Sequence, residues 1–344
     1  MAASYKKFRA ENTAPKNARD IGVYKDGVKV GRIPLGCLAP PPMGKPLYSF
    51  GLLADIHVGK IPSEEEGGLQ IPCNDVLLET IEHLKSAGVD FIISAGDTVD
   101  LGKNEDQWIF YRDATEGLGE IPMYCICGNS PHDLWYYDEV KEYAPKYAGM
   151  PNYIYHFTKG DDLFVMCGCY SAFTDETTGE WLFTVKRQDL IALRKLMNEH
   201  RNKRCFFIQH IRPPVKMDYD LPLAITPDEN GEYVMKEHGY LPISFFRHFK
   251  NLILFHGHSH TGFAKQDETS LQMNYMTKHY TGSGWVDLGH RGVHIPSCGI
   301  HGEGYIVEVY ENGVYLRGVD LYHGKELPIS NYWIDTTLVE VDAY

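Results

Sequence analysis

Five apolar stretches of this chain each end in residues of the types that bind divalent metals. The residues are Asp55, His57, Asp97, Asn129, His210, His258 and His260. Carboxylate, amide and imidazole groups together suit manganese, iron or zinc. Thiolates are absent from the set, which argues against a structural zinc site built from cysteines. A single histidine at a strand end is ordinary, but five such motifs in order predict a metal centre.

The stretches before these residues predict buried strands, because each is apolar along nearly its whole length. Between them, the spacing of apolar residues predicts helices over 74–88, ending at Gly88, and over 186–200. Alternating strands and helices indicate an α/β fold. Ligands of open α/β sheets bind at the carboxyl ends of the strands. The metal-binding residue types are therefore expected to meet at one edge.

Composition excludes several classes of protein. The 344 residues carry a net charge of −13 and no basic run, so nucleic acid and anionic membranes are poor partners. No apolar run is long enough to cross a membrane, and the first residues lack the pattern of a secretory signal. We expect a soluble cytoplasmic protein. Nothing in the sequence indicates its oligomeric state.

Four of the eight cysteines form two Cys-x-Cys pairs, at 125/127 and 167/169. Alternate residues of a strand share a face, so each pair could in principle hold a soft metal. The alternative is that they are small buried hydrophobic residues in a reducing compartment, and this is the interpretation we favour.

Residues 1–46 form an N-terminal extension that differs from the rest of the chain. Alternating apolar residues flank Lys25-Asp26-Gly27, which predicts a β-hairpin, and a Pro-rich linker follows over 36–46. Residues 47–344 are predicted to form the main domain, including a C-terminal hairpin around Asn312-Gly313.

The five motifs, in their order, resemble those of the calcineurin-like metallophosphoesterases. They stand here as Asp55-Ile56-His57, Gly96-Asp97-Thr98-Val99-Asp100, Gly128-Asn129, His210 and Gly257-His258-Ser259-His260. The resemblance spans about residues 47–320. It implies a four-layer α/β/β/α sandwich of two mixed sheets flanked by helices, with two divalent metal ions at one edge. The implied ligands are Asp55, His57 and His260 for the first metal, Asn129, His210 and His258 for the second, and Asp97 for both.

The resemblance also implies a reaction. Two metals about 4 Å apart clamp phosphate oxygens and lower the pKa of a bridging water, which supplies hydroxide near neutral pH. We expect hydrolysis of small phosphodiesters or phosphomonoesters by direct attack of that hydroxide on phosphorus. The sequence does not distinguish between the two ester classes.

One motif departs from the family pattern. The expected Gly-Asn-His-Asp reads Gly128-Asn129-Ser130-Pro131-His132-Asp133, as if two residues were inserted. His132 and Asp133 could supply the family's catalytic pair, in which the histidine protonates the leaving oxygen and the acid orients its ring. Alternatively this role is lost, or Ser130 donates a hydrogen bond to the phosphate.

Two further residues are candidates for the site. Asp100 is either a residue that supports the metal ligands or an ordinary turn aspartate. Arg212 could bind a substrate phosphate bidentately or be a surface arginine.

The altered motif and the N-terminal extension also leave open a different class of function. In that alternative the chain is a catalytically weak or inactive metallophosphoesterase scaffold that acts as a binding or structural protein. Retention of all seven candidate metal ligands argues against it.

Overall fold

The computed structural model describes residues 20–25, 28–34, 44–129, 131–174, 181–212, 225–227, 233–235, 238–240, 246, 249–263, 278–280, 285–287, 291–336 and 338. In chain order the strands are β1 (Asp20–Lys25), β2 (Val28–Pro34), β3 (Tyr48–Leu53), β4 (Phe91–Ser94), β5 (Met123–Cys125), β6 (Ile154–Lys159), β7 (Asp162–Cys167), β8 (Ser171–Thr174), β9 (Trp181–Lys186), β10 (Cys205–Gln209), β11 (Ile225–Pro227), β12 (Tyr233–Met235), β13 (His238–Tyr240), β14 (Leu252–His256), β15 (Lys278–Tyr280), β16 (Trp285–Asp287), β17 (Arg291–His294), β18 (Glu303–Tyr310), β19 (Gly313–Asp320), β20 (Lys325–Glu326) and β21 (Tyr332–Asp335). The α-helices are α1 (Cys73–Ala87), α2 (Glu105–Glu116), α3 (Asp138–Ala148), α4 (Arg187–Glu199) and α5 (Cys298–His301), and short 3-10 helices span Glu64–Glu66 and Pro328–Ser330.

Two mixed sheets form the centre of the fold. The first has the order β20-β19-β18-β3-β4-β5, with β21 also paired to β19. The second has the order β17-β14-β10-β7-β6. Strands β3, β4 and β5 are parallel to one another, as are β7, β10, β14 and β17. The carboxyl ends of the strands that precede the metal-binding motifs therefore lie at common edges.

Aromatic side chains fill the space between the two sheets. Phe50 of the first sheet stacks on Phe91 at 5.0 Å and meets Phe164 of the second sheet edge-on at 5.6 Å. The period-2 alternation of a strand assigns neighbouring residues to opposite faces. Accordingly, Phe206 belongs to this inner core between the sheets. Phe207 belongs to a second, outer core, which also contains residues of the helices.

Helices cover the outer faces. A Cβ built on Gly51 of β3 would lie 3.0 Å from Leu84, so α1 packs directly on the first sheet. In α4, Leu193 is buried in the same outer core as Phe207 of the second sheet. These layers form the four-layer sandwich that the resemblance implied. None of the helices in the described part of the chain has the length and apolar character needed to span a lipid bilayer.

The main elements predicted from sequence are present. The helix predicted over 74–88 runs from Cys73 to Ala87, and Gly88 ends it in a left-handed conformation with φ of 70°. The helix predicted over 186–200 runs from Arg187 to Glu199. The N-terminal hairpin is present as the antiparallel pair β1 and β2. Residues 36–43 of the predicted linker lie outside the described residues.

The C-terminal hairpin differs from its prediction by one residue. Tyr310 pairs with Gly313, so the loop consists of Glu311 and Asn312. Gly313 is therefore not a turn residue, although the Asn-Gly signal suggested one. A Cβ at Gly313 would lie 1.9 Å from the Trp333 ring, so this glycine makes room for the aromatic side chain of β21.

Candidate metal centre

The Asp97 carboxylate lies at the centre of a ring of imidazoles. Its Oδ2 atom is 3.2 Å from Nε2 of His210, 3.6 Å from Nε2 of His132 and 3.8 Å from Nε2 of His260. Nε2 of His57 lies 3.9 Å away. Asp97 and His57 are fully buried. Four imidazole nitrogens thus approach a single carboxylate oxygen from loops that follow four different strands.

These residues form two groups that share Asp97. The first contains His57, Asp97, His132 and His260, and the second contains Asp97, His210 and His258. Within each group the candidate ligand atoms all lie within 4.8 Å of one another. This arrangement suits two cations with Asp97 between them, as the resemblance implied, but it also brings His132, which was predicted to be catalytic, into the first group.

Asp55 and Asn129 lie beside these two groups. Oδ1 of Asp55 is 3.5 Å from Nε2 of His260, and the Asp55 carboxylate accepts a hydrogen bond from the backbone N–H of His258. Oδ1 of Asn129 is 2.9 Å from Nε2 of His210. All seven residues predicted to be metal ligands are therefore brought together, and each remains a predicted ligand.

Most of these residues have a strained backbone. Six non-glycine residues in the described part of the chain have a positive φ, between 51° and 74°. Five of them are predicted ligands: Asp55, His57, Asp97, His258 and His260. Such conformations cost about 1–3 kcal/mol each and persist where the surrounding structure enforces them, which happens mainly at functional sites.

Glycines before the ligands allow the loops to approach closely. A Cβ at Gly128 would lie 2.0 Å from Oδ1 of Asp97, and a Cβ at Gly257 would lie 2.7 Å from Oδ2 of Asp55. Any larger residue at these two positions would displace a carboxylate of the site.

Asp133 has a different place from the one predicted. Its buried carboxylate accepts hydrogen bonds from the backbone N–H groups of Gly128, Asp97 and Thr98, at 2.6, 3.1 and 2.9 Å. These bonds tie the loop after β4 to the loop after β5. The prediction that Asp133 orients the His132 ring is corrected, because its carboxylate is engaged by the main chain.

Asp100 orients His132 instead. Nδ1 of His132 lies 2.7 Å from the backbone carbonyl oxygen of Asp100, and 3.8 Å from its carboxylate. A carbonyl oxygen only accepts, so Nδ1 carries the hydrogen and Nε2 is directed towards the cluster. Asp100 thus contacts His132, the predicted catalytic residue, and its role in supporting the metal ligands stays a prediction.

Burial and mutual charge shift the pKa values at the site. Burial would lower the pKa of His210, but the Asp97 carboxylate beside it raises the pKa to about 9. Burial opposes ionisation of Asp97, yet the charge of His210 and the close approach of further imidazoles hold its pKa well below the usual value. Burial, reinforced by the positive charge of His210, lowers the pKa of His258 to about 3. Burial also lowers the pKa of His57 well below its ordinary value.

The side-chain atoms gathered at this site are of the types that bind divalent cations. Within the described residues, Oδ2 of Asp97 and Nδ1 of His57 are buried without a hydrogen-bond partner. Nε2 of His57 and Nε2 of His260 face each other at 2.9 Å, where at most one proton fits. A buried carboxylate with several imidazole nitrogens around it is best compensated when cations lie between them.

The remaining predicted residues lie elsewhere or are not described. Ser130 is outside the described residues. Arg212 is half-buried, and its charge is near enough to help lower the pKa of His256, after burial and the neighbouring His294. Cys125, Cys127, Cys167 and Cys169 are buried, and burial raises the pKa of each thiol. Among the described residues no cysteine joins a group that could hold a metal, in line with the favoured interpretation.

One segment next to the site was not assigned a role from sequence. Ser297 and Gly299 hydrogen-bond to the carbonyl oxygen of Asp55, and His301 hydrogen-bonds to that of His260. The contacts are made to the main chain, so side-chain spacing carries no signal for them. A serine before a short helix, which indicates an N-cap, was the only available sign.

A model of the family described as calcineurin-like phosphoesterase matches residues 48–262. The fold is similar to that of a dimetal phosphatase from Danio rerio, with 14% sequence identity and a TM-score of 0.53 over 85% of this chain and 100% of that chain. A purple acid phosphatase from yellow lupin seeds aligns over 86% of this chain but only 55% of its own, with 13% identity and a TM-score of 0.49. A search among curated proteins found no match to the sequence.

Proposed function

The chain belongs to the calcineurin-like phosphoesterase family, and on that premise we propose that it hydrolyses small phosphodiesters or phosphomonoesters at the cluster centred on Asp97. It is a metal-dependent phosphoric ester hydrolase. The observation that supports this site is the approach of four imidazole nitrogens to one buried oxygen of Asp97. Two divalent ions, which we take to be manganese, iron or zinc, would be held by the seven predicted ligands.

The bound metals would polarise the phosphate and supply the attacking oxygen nucleophile near neutral pH. The chain's own residues keep the site in place. Asp133 fixes the loops that carry Asp97 and Asn129 through three N–H bonds. Burial and the negative charge of Asp97 raise the pKa of Asp133 to about 6, while the hydrogen bonds from the backbone N–H groups of Thr98 and Gly128 lower it.

His132 is the proposed general acid. Its Nδ1 hydrogen is donated to the Asp100 carbonyl oxygen, which leaves Nε2 at 3.6 Å from Oδ2 of Asp97, facing the cluster. The protonated ring can pass the Nε2 proton to the leaving oxygen while the carbonyl supports its charge. General acid help of this kind contributes about 10²–10⁴ to the rate.

The surroundings favour a small substrate. A cavity of about 520 Å³ adjoins the His132 turn and is lined in part by Leu101, Lys103, Pro131 and Tyr137. Its lining includes none of the seven predicted ligands, so it is a place beside the metal site where a small organic group of the substrate could lie. The net charge of −13 opposes long nucleic acids, whose affinity depends on neutralising many phosphates. Seven cysteines are free among the described residues, which supports a reducing cytoplasmic compartment.

The test is hydrolysis of bis-p-nitrophenyl phosphate and p-nitrophenyl phosphate after reconstitution with manganese. Asp97→Asn is the control, since it keeps the volume of the side chain and removes its charge. We expect turnover that depends on manganese and is lost in Asp97→Asn. The ratio of the two rates then assigns the enzyme as a diesterase or a monoesterase.

The two-residue insertion before His132 is the observation that favours the alternative, a scaffold with weak or no catalysis. In that case the protein binds two metals and hydrolyses neither ester.

A further inference from the structure

We propose that the segment Ser297–His301, called here the clamp, positions the first-metal ligands Asp55 and His260 by holding their backbone carbonyl oxygens. The proposal rests on the assignment of these residues as metal ligands under the proposed function. The clamp lies outside residues 48–262, which the family model matches. Its residues touch the ligands' main chain and are positioning residues.

The clamp holds Asp55 at two points. Oγ of Ser297 donates to the carbonyl oxygen of Asp55 at 3.1 Å, and the backbone N–H of Gly299 donates to the same oxygen at 3.0 Å. The preceding residue is held as well, because Cys298 donates its N–H to the carbonyl oxygen of Ala54 at 2.9 Å. A Cβ at Gly299 would lie 2.1 Å from the carbonyl oxygen of Ile56, so the segment is packed tightly along this loop.

The clamp holds His260 through a side chain. Nε2 of His301 lies 3.0 Å from the carbonyl oxygen of His260. Since the carbonyl only accepts, His301 is the donor. The backbone N–H of Ser297 also donates to the carbonyl oxygen of Thr261, at 3.2 Å. One short segment therefore fixes two loops that follow β3 and β14, strands of different sheets.

These contacts matter because both ligands have a strained backbone. Asp55 and His260 each have φ of 53°, in the left-handed region. A residue other than glycine relaxes from this region unless neighbouring groups hold it there. Relaxation would turn the Asp55 carboxylate and the His260 imidazole away from each other and open the first metal position. None of these hydrogen bonds joins the clamp to His210 or His258, the predicted ligands of the second metal.

The test measures metal affinity in His301→Leu, which removes the donor, and in His301→Gln, whose amide N–H₂ can replace Nε2–H. Residues that hydrogen-bond to metal ligands and orient them typically contribute 10-fold to 100-fold to the affinity for the metal. We expect His301→Leu to weaken manganese binding at the first position by about that factor, and His301→Gln to restore most of it. His323→Leu, at an exposed histidine that binds Asp320, is the matched control and should bind both ions normally.

Calorimetric titration with manganese gives the two dissociation constants. His57→Ala removes a predicted ligand of the first metal and His258→Ala one of the second, so these variants show which constant belongs to which position. Ser297→Ala is the second variant, and we expect it to weaken the first position in the same way. First-position affinity within two-fold of wild type in both His301→Leu and Ser297→Ala overturns the proposal. Equal weakening of both positions overturns it too. Neither readout depends on turnover, so an inactive protein that behaves as expected would contradict the proposed function and not the clamp.

Discussion

At the scale of single residues, the site depends on Asp97 more than on any other side chain. It is the member common to both groups of candidate ligands. Its backbone N–H binds Asp133 while its Oδ1 accepts from the N–H of Asn129, so its position is fixed from two sides. Removing its charge should therefore affect both metals at once.

Asp97→Asn is expected to lower the bound metal towards one ion or none and to abolish hydrolysis. A neutral amide cannot bridge two cations as a carboxylate does. Metal content by plasma mass spectrometry is the measurement. Asp161→Asn, at an aspartate that is 98% exposed, is the matched control and should keep both ions. Full activity and two ions in Asp97→Asn would refute its bridging role.

His132→Ala should separate catalysis from metal binding. We expect kcat to fall about 10²–10⁴-fold while two metals remain bound, because the ring acts on the leaving oxygen. The loss should be smaller for p-nitrophenyl esters, whose leaving group needs little protonation, than for alkyl esters. The exposed His156 provides the control variant His156→Ala. If His132→Ala instead removes a metal, His132 is a ligand of the first group and not an acid.

At the scale of elements, the site is made by the short loops after β3, β4, β5, β10 and β14. Sequence reasoning located these loops because apolar strands ended in metal-binding residue types. It could not place the groups that support them. Asp133, for example, was expected to face His132, but its carboxylate fixes loop amides, a contact that depends on how the inserted residues fold. The clamp was missed because its contacts are to main-chain atoms.

Gly128, in the loop after β5, lies so close to Asp97 that a larger residue there should disturb the metal site. Gly128→Ala should weaken metal binding, because its Cβ would lie 2.0 Å from Oδ1 of Asp97. Gly149→Ala is the matched control. Gly149 ends α3 with φ of 66°, and a Cβ added there would have no atom within 4 Å. It should lower the free energy of unfolding by roughly 1–2 kcal/mol and leave metal affinity unchanged. Titration and thermal unfolding of both variants distinguish the two effects, and equal metal affinity in both would contradict the packing argument.

The pH dependence of stability tests the anchoring of the loop after β14. Glu303 accepts a hydrogen bond from the Phe263 N–H at 2.5 Å, and burial raises its pKa from 4.5 to about 7. Between pH 4.5 and 7 the Glu303 carboxyl is ionised in the unfolded chain but still protonated in the folded protein. The free energy of unfolding therefore falls as the pH rises from 4.5 to 7. Above pH 7 the loss is complete.

Glu303→Gln keeps the acceptor oxygen and does not ionise. Relative to this variant, the wild type should lose up to about 3 kcal/mol of unfolding free energy between pH 4.5 and 7. Urea unfolding at a series of pH values measures the difference. Parallel stability curves for the two proteins would show that Glu303 titrates normally.

At the level of the whole molecule, local sequence signals predicted the individual strands and helices of an α/β fold, whereas the four-layer arrangement was implied by the family resemblance. Buried strands and the helix ended by Gly88 could be recognised one at a time. Strand β6 and helix α3 were not predicted, since their apolar residues are few and interrupted. Helix α2 was not predicted either, since its apolar residues form the short run 108–111 between charged residues. In α3 a proline, Pro145, lies inside the helix. The residue-by-residue pairing of the two sheets depends on contacts distant in sequence, which local patterns do not encode.

The boundary predicted between the extension, residues 1–46, and the main domain, residues 47–344, can be tested by truncation. The N–H of Leu47 donates to the carbonyl oxygen of Val309 at 2.7 Å, which ties the start of β3 to β18. Removing residues 1–43 leaves this bond and the metal centre intact. We expect the shortened chain to bind two metals and retain the wild-type rate. Loss of metal or of cooperative unfolding would show that the extension belongs to the domain.

The proposed place of Asp97, between two metal positions, can be tested by a crystal structure of the manganese-reconstituted protein with anomalous scattering data. We expect two anomalous peaks, about 3.5–4 Å apart, on either side of the Asp97 carboxylate. One peak is expected beside His57 and His260, and the other beside His210 and His258. A single peak, or none near Asp97, would show that Asp97 does not bridge two metals.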